Sequence, residues 1–115
     1  MLRVCVTGGR TFSDRKWFDE ELDALHSGHR IVAILEGGAS GADELAVRWA
    51  RAHEVPIETF TAHWQLEGRS AGPIRNRRML DARPDLVIAF PGGPGTAHCL
   101  EEARHRGIAI HIAHH

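Results

Sequence analysis

Three glycine-rich turns and one arginine cluster hold the residues of this chain with the means to do chemistry. The turns are Gly8-Gly9-Arg10, Glu36-Gly37-Gly38-Ala39-Ser40-Gly41-Ala42-Asp43 and Pro91-Gly92-Gly93-Pro94-Gly95-Thr96. Each follows a short apolar run and precedes a segment with helical spacing. Strand, glycine turn and helix together put unpaired backbone N–H groups and a helix's positive end around an anion, most often a phosphate. Glycine lets that backbone take unusual angles and approach a ligand with no Cβ in the way. One such turn is equally well explained as a tight connection; three favour a shared purpose. The cluster, Arg69, Arg75, Arg77, Arg78 and Arg83, concentrates positive charge in one window. Forked guanidiniums suit phosphate, and Arg75 and Arg78 share a helix face, so one or two of them are expected in a cleft. The rest would form a solvated basic face paired with Asp81 and Asp85.

Positioning these groups takes a sheet. Leu2–Thr7 is a β-branched run read as a buried strand, and Arg30–Leu35 is a second. Ile57–Thr61 alternates like an edge strand, Asp85–Phe90 is a fourth strand, and Ile108–Ile112 a fifth. Between them, Phe18, Leu22 and Leu25 mark a helix capped by Ser13 or Asp14 and stopped at Ser27-Gly28. Leu45, Ala46, Trp49 and Ala50 mark a second helix, for which Ser40 and Asp43 resemble a capping box. Pro73 suits the first position of a third helix, Ile74–Ala82. A fourth carries Leu100 and Ala103 and closes at Gly107. Ala62–Gly72 is the least regular stretch, and Trp64 within it either anchors the loop or faces a ligand. Five strands alternating with four helices predict one α/β domain over 1–115. The expected form is a Rossmann-like doubly wound parallel sheet, order 3-2-1-4-5, with helices on both faces. The turns after strands one, two and four then meet at the carboxyl edge, by the switch point where such sheets bind ligands.

Several ligand classes are excluded or disfavoured. The only lysine is Lys16, so no Walker A loop exists, and no turn reads G-x-G-x-x-G with an acid about 20 residues on. Lys+Arg at 14 against Asp+Glu at 15 gives no general basic field for duplex DNA. Nine histidines show no zinc spacing, so no metal and no cofactor is expected. His98 alone lies by a turn, able to bond a ligand or face water. No apolar run approaches a membrane span, no signal peptide precedes Gly8, and Cys5 and Cys99 have no C-x-x-C spacing. The expectation is a cytoplasmic protein with reduced thiols.

Taken in order, the glycine blocks, Arg75-Asn76-Arg77-Arg78-Met79 and Pro91-Gly92-Gly93-Pro94-Gly95-Thr96 resemble the SLOG superfamily. It joins the Smf/DNA-processing proteins to the Lonely Guy phosphoribohydrolases. The likeness is to its small stand-alone YspA/YpsA-related branch and covers nearly the whole chain. It implies a Rossmann-like domain that binds a nucleotide or nucleotide-derived molecule, such as a nucleoside monophosphate or an ADP-ribose derivative.

Ligand-binding candidates are Gly8, Gly9, Arg10, Gly37, Gly38, Ser40, Gly41, Asp43, Arg75, Asn76, Pro91, Gly92, Gly93, Gly95 and Thr96. Backbone N–H groups and the Ser40 and Thr96 hydroxyls would hold phosphate. The alternative is a nucleotide N-glycosidase. Lonely Guy enzymes carry P-G-G-x-G-T-x-x-E, but Cys99 stands at the glutamate position here, and a thiol in an apolar setting cannot replace a carboxylate. Glu36 and Glu102, with Arg78, are then the catalytic candidates, against duller readings of Asp43 as a cap partner and Glu102 as solvated. Single-stranded DNA binding, suggested by Arg75-Asn76-Arg77, ranks third for want of exposed aromatics. Dimerisation is implied by the Lonely Guy resemblance alone.

Overall fold

Val4–Val6 and Ile31–Leu35 are nearly continuous apolar runs, as expected of strands covered on both faces. The computed structural model describes residues 1–115. It forms one five-stranded parallel sheet in the order β3-β2-β1-β4-β5. The strands are β1 (Leu2–Thr7), β2 (Ile31–Glu36), β3 (Ile57–Thr59), β4 (Leu86–Ala89) and β5 (Ala109–Ile112). The helices are α1 (Arg15–His29), α2 (Ala42–Ala52), α3 (Trp64–Glu67), α4 (Ala71–Asp81) and α5 (Pro94–His105). This is the predicted α/β Rossmann-like fold.

The period-2 alternation of the strands divides the core between two faces. Val4, Val6, Ile34 and Ile88 meet Phe18 and Leu22 of α1 and Ala46 and Trp49 of α2. On the other face Cys5, Leu35 and Val87 meet Met79 and Leu80 of α4 and Cys99 and Ala103 of α5. Each large side chain removed from water here contributes about 1.5–3 kcal/mol. No helix is long and apolar enough to cross a membrane.

Five local expectations are corrected. Helix α1 runs through Gly28 and ends at Arg30, whose φ is 53°. The Arg30 N–H reaches the His26 carbonyl at 2.9 Å and the Ile31 N–H donates to His26 Nδ1 at 2.9 Å, so His26 closes the helix. Helix α2 is not capped by Ser40 and Asp43. Gly41 is its N-cap residue, and the Gly41 N–H donates to the Glu44 carboxylate at 3.0 Å. The irregular stretch 62–72 contains α3 and a 3-10 turn, Gly68–Ser70. Helix α4 starts at Ala71 with Pro73 in its first turn, where a missing N–H breaks no intrahelical bond. Strand β3 is two residues shorter than predicted, ending at Thr59.

Candidate functional site

The parallel order brings the loops after β1, β2 and β4 to one edge, and backbone hydrogen bonds then tie them together. The Gly9 N–H donates to the Pro91 carbonyl at 2.8 Å, and the Ala42 N–H to the Gly9 carbonyl at 3.2 Å. The Ser40 hydroxyl donates to the Arg10 carbonyl at 3.1 Å. The β1 loop is therefore the hub, with the other two loops bonded to it. Gly41 makes this possible: its φ is +74° and a Cβ there would overlap the Gly9 carbonyl oxygen. The Ser40 hydroxyl proton and the Gly9 N–H, both candidate phosphate donors, are thus already engaged within the protein.

A cleft of about 590 Å³ opens between these loops and α4. Among the sequence-predicted residues, Gly8, Gly9, Arg10, Gly37 and Asp43 line it from the β1 and β2 side. Arg75 and Asn76 line it from α4, and Gly93, Gly95 and Thr96 from the start of α5. Gly38 and Ser40 instead line a neighbouring cavity of about 250 Å³ that shares Arg10, Gly37 and Arg75 with the cleft. Pro91 and Gly92 lie behind, on a shallow depression beside Phe12.

Arg75 is held in place rather than free to swing. Its Nη1 donates to the Gly37 carbonyl at 2.6 Å and its Nε to Asn76 Oδ1 at 2.9 Å. A Cβ at position 37 would overlap the guanidinium, so a side chain there would displace Arg75 from this position. Asn76, 4% exposed, donates from Nδ2 to the Gly95 carbonyl at 3.2 Å and faces His98 Nδ1 at 3.2 Å. The Asn76 amide is a donor on that side, so His98 accepts at Nδ1 and carries its proton on Nε2, toward Glu102 at 4.0 Å. Arg3, Arg48, Arg77 and Arg106 each pair with a carboxylate. Arg10, Arg69 and Arg75, all lining the cleft, have no carboxylate at ion-pair distance.

The catalytic candidates fall outside the cleft. Glu36 is 1% exposed, and its carboxylate accepts from the Gly38 N–H at 2.8 Å and the Thr59 hydroxyl at 2.5 Å. It braces the β2 turn against β3. Glu102 sits between α4 and α5 against Arg106 at 3.0 Å and Arg77 at 3.4 Å. The Arg106 hydrogen bond holds its carboxyl below the ordinary carboxylate range. Arg78 donates to the Thr61 carbonyl at 2.6 Å, securing the chain before α3. Asp43 is the carboxylate that lines the cleft. Burial raises its pKa to about 6, opposed by the Ala39 N–H, which it accepts at 3.2 Å, and by Arg75. Cys99 is fully buried beneath the cleft in one cluster with Cys5. Its hydrogen bond to Cys99, then burial, holds the Cys5 thiol well above its usual pKa.

The cleft-lining side chains that the sequence does not commit to the site include Arg69 and Met79, and also Trp64 and His98, for which a ligand contact is one of two readings. Trp64 and Arg69 belong to the 62–72 segment, whereas Met79 is on α4 and His98 on α5. Arg10 reaches across to Trp64, its guanidinium carbon 5.2 Å from the ring centroid.

Comparison with known proteins sets this geometry in a family. The model of the YspA, cpYpsA-related SLOG family (YAcAr) matches residues 2–66, which include the first two glycine turns and Trp64. The chain belongs to that family. It is also 39% identical over 118 aligned residues to the Gene 61 protein of Mycobacterium phage D29, covering 96% of this chain and 94% of the phage protein. In this SLOG chain Arg75 and the Gly93–Thr96 part of the third turn lie beyond the segment matched by the family model, yet they line the cleft.

Proposed function

We propose that the cleft binds a nucleotide or a nucleotide-derived ligand, of nucleoside monophosphate or ADP-ribose type, and that the protein acts as a sensor or partner module. One observation carries this reading: Arg10, Arg69 and Arg75 line a single cavity walled by glycine turns, and none of the three has a carboxylate at ion-pair distance, Asp43 being the one acid in the lining. Unpaired guanidiniums beside glycine backbone and the first turn of α5 favour an anion of phosphate geometry. A thermal-shift series with AMP, ADP-ribose, NAD and cyclic AMP tests it. A ligand at 100 times its Kd adds about 2.7 kcal/mol of apparent stability, several degrees for a chain this size. No shift with any of them at millimolar concentration would remove the reading. The pairing implied by the Lonely Guy likeness is checked on the same sample by sedimentation.

A second reading, N-glycosidic hydrolysis, is favoured by Asp43 alone. Its carboxylate lines the cleft and titrates at about 6, so above that pH it is a base placed to take a proton from water. Water would add at the ribose C1′ and the base would leave with a proton, giving ribose 5-phosphate. Chromatography of an AMP incubation for adenine decides between the readings. Adenine that disappears in Asp43→Asn makes the protein a hydrolase; intact AMP makes it a binding module. Single-stranded DNA ranks last, because Trp64 is the one exposed aromatic lining the cleft and a strand groove needs several.

A further inference from the structure

Of the three tryptophans, Trp17 is 8% and Trp49 1% exposed, while Trp64 is 47% exposed. Trp49 is a packed core side chain whose indole N–H donates to Asp23 at 2.9 Å. Trp64 stands on the short helix α3, and its edge rests on Gly72, where a Cβ would come within 3.3 Å of Cη2. A ring pinned by its edge keeps its faces for other partners. Trp64 lines both the 590 Å³ cleft and the adjoining 250 Å³ cavity. It therefore stands where the two spaces meet.

One ring face carries Arg10. The Arg10 backbone is fixed by the Ser40 hydroxyl, but its guanidinium has no carboxylate partner. The contact spans the mouth of the cleft, from the β1 loop on one wall to α3 on the other. An exposed cation–π contact is weaker than the stacking of a nucleobase on an indole, so a base that enters the cleft outcompetes the guanidinium for the ring. The displaced cation would remain beside whatever anion accompanies the base.

We propose that Trp64 is a base-stacking platform, occupied by Arg10 until a ligand arrives, and that the ligand is a phosphate ester bearing a heteroaromatic base rather than a sugar phosphate or an inorganic anion. The inference rests on the phosphate-cleft reading above and adds which part of the ligand each wall receives. The base goes to Trp64, and the phosphate goes to the guanidiniums and the first turn of α5.

Calorimetric titration of the full chain with AMP, GMP, CMP, UMP and the base-free probe ribose 5-phosphate tests the assignment. At least one mononucleotide is expected to bind on the order of 10- to 100-fold more tightly than ribose 5-phosphate. Trp64→Ala removes that margin and leaves ribose 5-phosphate binding unchanged, while Trp64→Phe keeps most of it. Circular dichroism of both variants verifies the fold. Tryptophan emission is quenched by the bound mononucleotide in the native chain and not in Trp64→Phe. A margin that survives Trp64→Ala, or equal losses for mononucleotide and ribose 5-phosphate, overturns the platform and leaves the cleft reading intact. Binding of neither class removes both. Trp64-dependent binding of a thymidine oligonucleotide, with no mononucleotide bound, also overturns the inference, in favour of a strand ligand.

Discussion

Asp43 concentrates the pH dependence of the site in one side chain. Its folded pKa of about 6 lies above the unfolded value near 3.9, so the neutral acid is the form that folding favours. That contribution is fully present below about pH 4 and is lost as pH rises through 6. The size of the shift corresponds to roughly 2–3 kcal/mol. Asp43→Asn keeps an acceptor for the Ala39 N–H and removes the titration. Urea denaturation should show the variant more stable than the native chain at pH 8, with the difference closing by pH 4. Cys99 tests the opposite idea, that a glutamate is merely missing. Its position is fully buried against Cys5 and Ala103. Cys99→Glu should lower stability by several kcal/mol, because a larger, charged side chain enters a fully buried, packed space. Its thermal midpoint should fall, and no base should be released from AMP.

At the scale of elements, the site is a set of loop ends locked by backbone bonds, and the locks are as testable as the contacts. Gly41→Ala combines a positive φ with a Cβ driven into the Gly9 carbonyl. A loss of about 2 kcal/mol or more is expected, read as a lower denaturant midpoint with an unchanged slope. Asn76 does similar work between α4 and α5, bonding Arg75, Gly95 and His98 at once. Asn76→Ala should cost about 1–3 kcal/mol of stability and weaken AMP binding through a looser Arg75. Calorimetry alongside thermal denaturation separates the two effects. The glycine turns themselves were legible in sequence because turn chemistry is local. Their caps were not: Ser40 has the right type and spacing for a cap, but the nearby Arg10 carbonyl takes its hydroxyl.

At the scale of the molecule, β1 is the centre of both the sheet and the site. It is flanked by β2 and β4, its side chains enter both core faces, and its loop is hydrogen-bonded to the other two. Hydrogen exchange should find the amides of Val4–Val6 among the slowest, and those of the edge strand β5, largely exposed, well ahead of them. A β1 amide that exchanged with β5 would mean the sheet opens from its centre.

The sequence by itself determined the fold class, the strand order and the convergence of three glycine turns. These follow from hydrophobic period, turn residues and the handedness of parallel crossovers, all of which act over short stretches of chain or by general rule. It also showed that Cys99 occupies the glutamate position. Only the tertiary structure decided which charged groups enter the cleft. Glu36, Glu102 and Arg78 are the right residue types near the right turns, but each finds a stronger partner outside the cleft: Thr59, Arg106 and the Thr61 carbonyl. Asp43, Arg75 and Trp64 face the cleft because helices packed from opposite sides of the sheet bring them there. That selection depends on contacts between residues up to tens of positions apart, which no local pattern encodes.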